Sequence, residues 1–210
     1  MESYTTIRGR AGASITEKKS EFIAVAAFAD SEQAALDFLA SVRAAHRTAS
    51  HNVYAYLLRE GARTRYSDDG EPAKTAGLPV LEVLSHSGLT DVIVVVTRYF
   101  GGTLLGTGGL VKAYGDAVRA VLKLVRRAVK VPTTTLGVQL PYPLFEQVQR
   151  LAVARGAEVL ESQFLTDVTL MLRFRDEELE AFYEQLAHLS AGQVTPVVLE
   201  RNPETIFPLD

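Results

Sequence analysis

The chain has no cysteine in its 210 residues, so neither a disulfide nor a thiolate zinc site holds the fold together. That suits a reducing interior. No apolar run approaches the ~20 residues of a membrane-spanning helix; the strongest β-branched run, Val92–Val96, is far too short. The first ten residues mix Glu2, Arg8 and Arg10 with threonines and have no apolar segment, unlike a signal peptide. The expectation is a cytoplasmic protein with no membrane association. Common chemical signatures are missing too. His46, His51 and His86 have no HExxH spacing, and structural roles suit them best. The glycines make neither a Walker A sequence nor a GxGxxG followed by a spaced acid, and no serine has a base beside it in the sequence. No cofactor and no metal is implied, and no internal repeat or low-complexity segment interrupts the chain.

What is present is an ordinary globular composition, 47% apolar, with charge divided unevenly. Residues 1–132 carry 17 Lys and Arg against 13 Asp and Glu, whereas residues 133–210 carry 5 against 12. A mildly basic first part and an acidic second part point to two units, with the boundary at Pro132.

The second part reads clearly. Thr133–Leu140 alternates as a strand, and Leu144–Arg155 has helical apolar spacing closed by Gly156. Two strands follow at Glu158–Leu165 and Asp167–Phe174, then a helix over Leu179–Leu189 and a strand at Val194–Leu199. This β-α-β-β-α-β order is that of a ferredoxin-like domain. In the first part, strands are expected at Tyr4–Arg10, Ser14–Lys18 and Phe22–Phe28. Asp30 and Gln33 then have capping-box spacing ahead of a helix to about His46. Further strands are expected at Asn52–Leu58 and Thr64–Ser67, a helix over Ala73–Ser85, and a doubly buried strand at Asp91–Thr97.

A long helix is expected from Gly109 to Val129. On it Lys112, Asp116, Arg119, Lys123, Arg126 and Lys130 fall within ~40° of one line, opposite an apolar face. A solvated helix face and a footprint for phosphates both fit that stripe. Ahead of it, Gly101, Gly102, Gly106, Thr107, Gly108 and Gly109 lie between strand and helix, bracketed by Arg98 and Lys112. Such a place suits an anion, because free N–H groups and the helix dipole favour negative charge; tight-turn geometry explains the same glycines equally well. Asp68, Asp69 and Glu71 form an acidic turn that suits either a hard cation or ordinary turn and capping chemistry. Tyr54 and Tyr56 alternate on one strand face, as a base-stacking platform or as half-buried strand residues.

Three strings, His51–Tyr56, residues 67–84 (SDDGEPAKTAGLPVLEVL) and residues 94–114 (VVVTRYFGGTLLGTGGLVKAY), together resemble the IMPACT/YigZ family, and RYFGGxxLGxGGL is that family's signature. The second part resembles the ferredoxin-like domain of its bacterial members. Lys74 departs from the family, which typically has Gly there, and Val53 stands where many members have Cys. The resemblance implies an α/β, two-domain protein. Residues 1–132 would form a left-handed β-α-β, two-layer domain like domain IV of elongation factor G, and residues 133–210 the ferredoxin-like domain. Eukaryotic relatives regulate translation initiation, and bacterial ones resemble nucleic-acid or ribosome binders. The resemblance thus implies RNA or the ribosome as partner. Arg98, the 101–109 loop, Lys112, Arg119, Lys123 and Arg126 would meet phosphates, and Tyr99 or Phe100 a base. His51, Asp68, Asp69, Glu71 and Lys74 are accessory candidates. The alternatives are a Mg-dependent phosphate-handling enzyme using the same loop and the acidic turn, and a protein-interaction module with the acidic domain meeting a basic partner.

Overall fold

The computed structural model describes residues 3–209; residues 1, 2 and 210 of the expected domains lie outside it. The chain divides into two compact units, one built from Tyr4–Val129 with the residues from Pro208 onward, the other from Lys130–Phe207.

In the first unit a five-stranded sheet has the order β2 (Arg10–Glu17), β3 (Ser20–Phe28), β6 (Val92–Tyr99), β4 (His51–Leu58), β5 (Arg63–Ser67). β6 is antiparallel to both β3 and β4. β3 and β4 are therefore parallel, joined by the crossover helix α1 (Glu32–Ala45). Helices cover both faces, which is why β6 is apolar at consecutive positions. Val92, Val94 and Val96 join Phe22, Ala24, Val53 and Ala55 under α2 (Gly77–Ser85) and α3 (Thr107–Leu122). Ile93 and Val95 face α1 through Phe38, Leu39 and Val42. Where the family resemblance implies two layers, the sheet is the middle one of three. Ala24 and Ala26 on β3 meet Ala113 and Ala117 on α3 in one buried cluster, and these small residues let helix and sheet approach closely.

Local chemistry corrects three expectations. The N-cap of α1 is Ser31, whose Oγ accepts from the Ala34 N–H at 3.2 Å, so Asp30 forms no capping box. Only Gly77–Ser85 of the expected 73–85 helix is helical. The long helix ends at Leu122, and the chain turns at Lys123 and Leu124 into the strand β7 (Arg126–Leu140). No Gly or Pro marks that stop. Val121, Leu124, Val125 and Ala128 keep helical spacing by coincidence, and the pull of strand pairing on Val129 and Val131 overrides it. β7 runs on through Pro132, and the compact units part between Val129 and Lys130.

The second unit continues with α4 (Phe145–Ala154), β8 (Glu158–Phe164), β9 (Val168–Arg175), α5 (Leu179–Leu189) and β10 (Val197–Pro208). Its sheet has β9 between β7 and β8, antiparallel to both, and β10 on the other side of β7. β1 (Tyr4–Arg8) also pairs with β7. The β10-β7-β9-β8 order completes the ferredoxin-like arrangement. Leu136, Val138, Leu140, Leu170, Leu172 and Phe174 point to one face and pack with Val148, Ala152, Phe182 and Leu186 of the two helices. Burying each such side chain contributes roughly 1.5–3 kcal/mol.

Candidate functional site

The C-terminal end of the central strand β6 is where the first unit stops being apolar. Register places Arg98 between Phe22 on β3 and His51 on β4. Its guanidinium lies over the rings of Phe22 and Phe100, 5.5 and 5.6 Å from their centroids. Arg98 is only 5% exposed, and its Nη1 donates to Glu71 Oε1 at 2.6 Å. The Tyr114 hydroxyl, from α3, donates to the same oxygen at 2.8 Å. Burial, and then the Glu71 carboxylate, push the Tyr114 phenol far above its ordinary pKa. The second Glu71 oxygen lies 3.8 Å from His51 Nε2. His51 Nδ1 is 2.8 Å from the Asp69 carbonyl, which can only accept, so that nitrogen carries the proton and donates. One Arg98 atom, Nε, is buried and has no hydrogen-bond partner.

The acidic turn sends its three carboxylates to three destinations. Asp68 accepts from the N–H groups of Lys74, Ala76 and Gly77 at 2.9, 3.0 and 2.8 Å and thereby caps α2. Asp69 accepts from the Asn52 N–H and from Arg43, both at 2.6 Å, tying the turn to β4 and α1. Glu71 points inward to Arg98. They do not converge on one point, and among the described residues no His, Asp and Glu cluster is arranged to hold a metal ion.

Above this network lies a pocket of about 530 Å³, floored by His51, Glu71 and Arg98 and walled by Pro72, Phe100, Leu104, Leu105, Gly106, Thr107 and Leu110. The glycines around it have different reasons to be glycine. A Cβ on Gly101 would lie 2.0 Å from the backbone carbon and oxygen of Lys19, so this residue locks the loop onto the β2–β3 hairpin. Gly102 and Gly106 adopt φ of +82° and +74°, the left-handed region that only glycine enters at little cost. Gly108 meets neither constraint.

The remaining candidates are scattered. The basic stripe does not exist as one helix face. Lys112 and Arg119 lie on α3, 4.0 and 2.8 Å from Asp116, with Lys123 at the helix end. Arg126 and Lys130 belong to β7, and Lys130 pairs with Glu204 at 3.3 Å. The Tyr99 hydroxyl bonds His46 Nδ1 at 2.9 Å, leaving Phe100 as the exposed aromatic of the loop. Tyr56 is buried with its hydroxyl on Glu32, so Tyr54 and Tyr56 pack within the fold and form no open platform. Lys74 is exposed, with φ +64°, which explains a family preference for Gly there.

Sequence reasoning missed Tyr114, Ser20 and the pair Lys18–Lys19. Tyr114 had a signal, a phenol on an apolar helix face, since a buried hydroxyl needs a partner. Ser20 Oγ accepts from the Gly101 N–H at 3.1 Å. Lys18 and Lys19 form the two-residue turn between paired Glu17 and Ser20, exposed, at φ of +45° and +69°. Such turns normally use Asn and Gly.

The Impact N-terminal domain family matches residues 18–122, and a domain family of unknown function, DUF1949, matches residues 138–193. The IMPACT family member YigZ of Escherichia coli is 37% identical over 186 residues, covering 87% of this chain and 91% of that protein. YvyE of Bacillus subtilis, also an IMPACT family member, is 33% identical over 201 residues, covering 92% and 89%. A crystal structure of a hypothetical protein superposes with a TM-score of 0.61 at 35% identity, covering 95% of this chain and 98% of that one. The two-domain translational regulator Yih1 is 31% identical over 56% of this chain and 47% of its own, with a TM-score of 0.39. With its first unit matched by the Impact domain and such relatives along nearly its whole length, the chain belongs to the IMPACT family.

Proposed function

We propose that the protein is a translation-associated regulator that docks on RNA, as found on the ribosome, through the face made by the glycine loop and the β2–β3 hairpin tip. The observation that carries this reading is the hairpin tip itself. Two lysines hold left-handed backbone conformations there, costing roughly 1–2 kcal/mol each, and Gly101 packs directly on the backbone of the second. Strain of this kind persists where a function needs the residues. Asn-Gly would fold better at that turn but would carry no charge. The cations of this face are therefore Lys18 and Lys19, both exposed, in place of the dispersed helical stripe. Beside them lies the start of α3, whose N-cap Gly106 supplies no side-chain cap. Lysines and open helix N–H groups together suit a phosphate backbone without reading base sequence.

Co-sedimentation with ribosomes and ribosomal RNA at low and high salt tests this. Binding should fall steeply with salt, and Lys18→Gln with Lys19→Gln should reduce the log–log salt slope by roughly 1.4–1.8. An unchanged slope in the folded double variant would overturn the reading.

A further inference from the structure

Gly108 is the glycine of the loop that the fold does not need. It lies in the first turn of α3, is exposed, has no positive φ, and nothing sits within 4 Å of the place a Cβ would take. A helical glycine costs about 1 kcal/mol relative to alanine. Leaving out that Cβ keeps the first-turn N–H groups open, and an anion is what such groups bind. The pocket beside this helix start adds independent pointers to an occupant. Arg98 lies on its floor, where Glu71 and Ser20 hold its guanidinium in place. Its mouth holds two large apolar groups in water, Leu104 at 82% and Phe100 at 49% exposure. One side of the Phe100 ring is backed by the Arg98 guanidinium. The Glu71 carboxylate on the floor is already compensated by Arg98 and Tyr114, so it does not turn the pocket against an anion.

An anion cradle beside an aromatic platform, inside a cavity of about 530 Å³, matches a molecule with a phosphate at one end and a flat ring at the other. We infer that the pocket receives one unstacked nucleotide of a single-stranded RNA, with its phosphate at the N-terminus of α3 and its base against Phe100. The inference rests on the RNA reading above and sharpens it. A base held in a duplex stack cannot enter a concave pocket, whereas loops, bulges and ends splay their bases onto aromatic side chains. The preference should therefore be for single strands.

The full-length protein is titrated with adenosine 5′-monophosphate, adenosine and inorganic phosphate while amide NMR shifts are followed. It is also titrated with single-stranded and duplex RNA of equal length at low salt. The monophosphate should bind about tenfold or more tighter than either fragment and shift the amides of Gly106–Gly109. Gly108→Val, whose Cβ meets no neighbour, and Phe100→Ala should each weaken monophosphate and single-stranded RNA binding about tenfold, with duplex binding unchanged. Circular dichroism checks that both variants are folded. Wild-type affinity for single strands in both variants would overturn the inference, as would capture of an aromatic peptide carboxylate in preference to the nucleotide. Equal binding of duplex and single strand, with an intact salt slope, would overturn the nucleotide pocket and leave the RNA reading standing. Failure of salt-dependent binding to either RNA would instead remove the RNA reading itself.

Discussion

Both units bury polar groups, but in different kinds of place. In the second unit these are Thr133, Thr134, Thr135 and Ser190. Thr134 bonds Asp176 where β9 gives way to α5, and Ser190 accepts from the Val194 N–H just past α5. Thr133–Thr135 lie mid-strand in β7, with Thr133 bonded to Thr205 of β10, and none of the four carries a charge. In the first unit the buried polar residues include Ser20, Asn52, Glu71, Thr97 and Arg98, brought together from distant parts of the chain. Ser20, Glu71 and Arg98 meet at one end of the sheet under an open pocket, while Asn52 and Thr97 bond each other on its opposite face. An apolar filling would stabilise the fold as well or better, because a buried ion pair seldom repays its desolvation. The difference indicates that the second core is built for stability, while the first gives up stability at one end to hold a site.

The sharpest way to break that comparison is to remove one partner in each core. Arg98→Met strands Glu71 without its cation and should cost about 3–5 kcal/mol by urea denaturation. Phe174→Ala, which empties the centre of the second core, should cost about as much, roughly 3–5 kcal/mol through its cavity. Adding Glu71→Leu to Arg98→Met should recover most of the first loss, whereas no second polar change should rescue the cavity. A double variant as unstable as the single one would refute the desolvation account.

Tyr114→Phe is milder, about 1.5–3 kcal/mol for a hydrogen bond to a carboxylate. It also carries a pH signature. The folded state raises the Tyr114 pKa, so the neutral phenol's contribution is complete below the ordinary tyrosine value of about 10 and is lost as pH rises above it. Stability between pH 9 and 11.5 should fall more steeply in the wild type than in Tyr114→Phe. Parallel curves would place the phenol outside the network.

Lys18→Asn with Lys19→Gly should raise stability by about 1–2 kcal/mol while weakening RNA binding; a gain in both would remove the link between strain and function. Lys74→Gly should show the smallest effect, a gain of about 1 kcal/mol, with RNA binding unchanged, because it relieves strain away from the proposed face.

These differences also account for what was legible beforehand. The β-α-β-β-α-β order of the second unit follows from apolar spacing with clear stops such as Gly156 and Gly192, and α5 falls at its expected bounds, Leu179–Leu189. The 109–129 helix was misread because local spacing cannot register that β7 recruits Arg126 onward. The loop glycines were visible as composition, but their separate reasons depend on atoms far along the chain. Lys19 behind Gly101 is the plainest case. Tyr114 and Glu71 are 43 residues apart, and no local pattern links them.

The contact between Gly101 and Lys19 has an evolutionary consequence. With a backbone seated 2.0 Å from where a Cβ would be, position 101 cannot drift from glycine. The hairpin opposite cannot gain or lose a residue without lifting the loop. No packing constrains the side chains at 18 and 19, which are exposed, so only the proposed RNA contact restrains them. Descendants of this chain can thus retune the charge of the tip one substitution at a time, while its length and its distance from the pocket stay frozen.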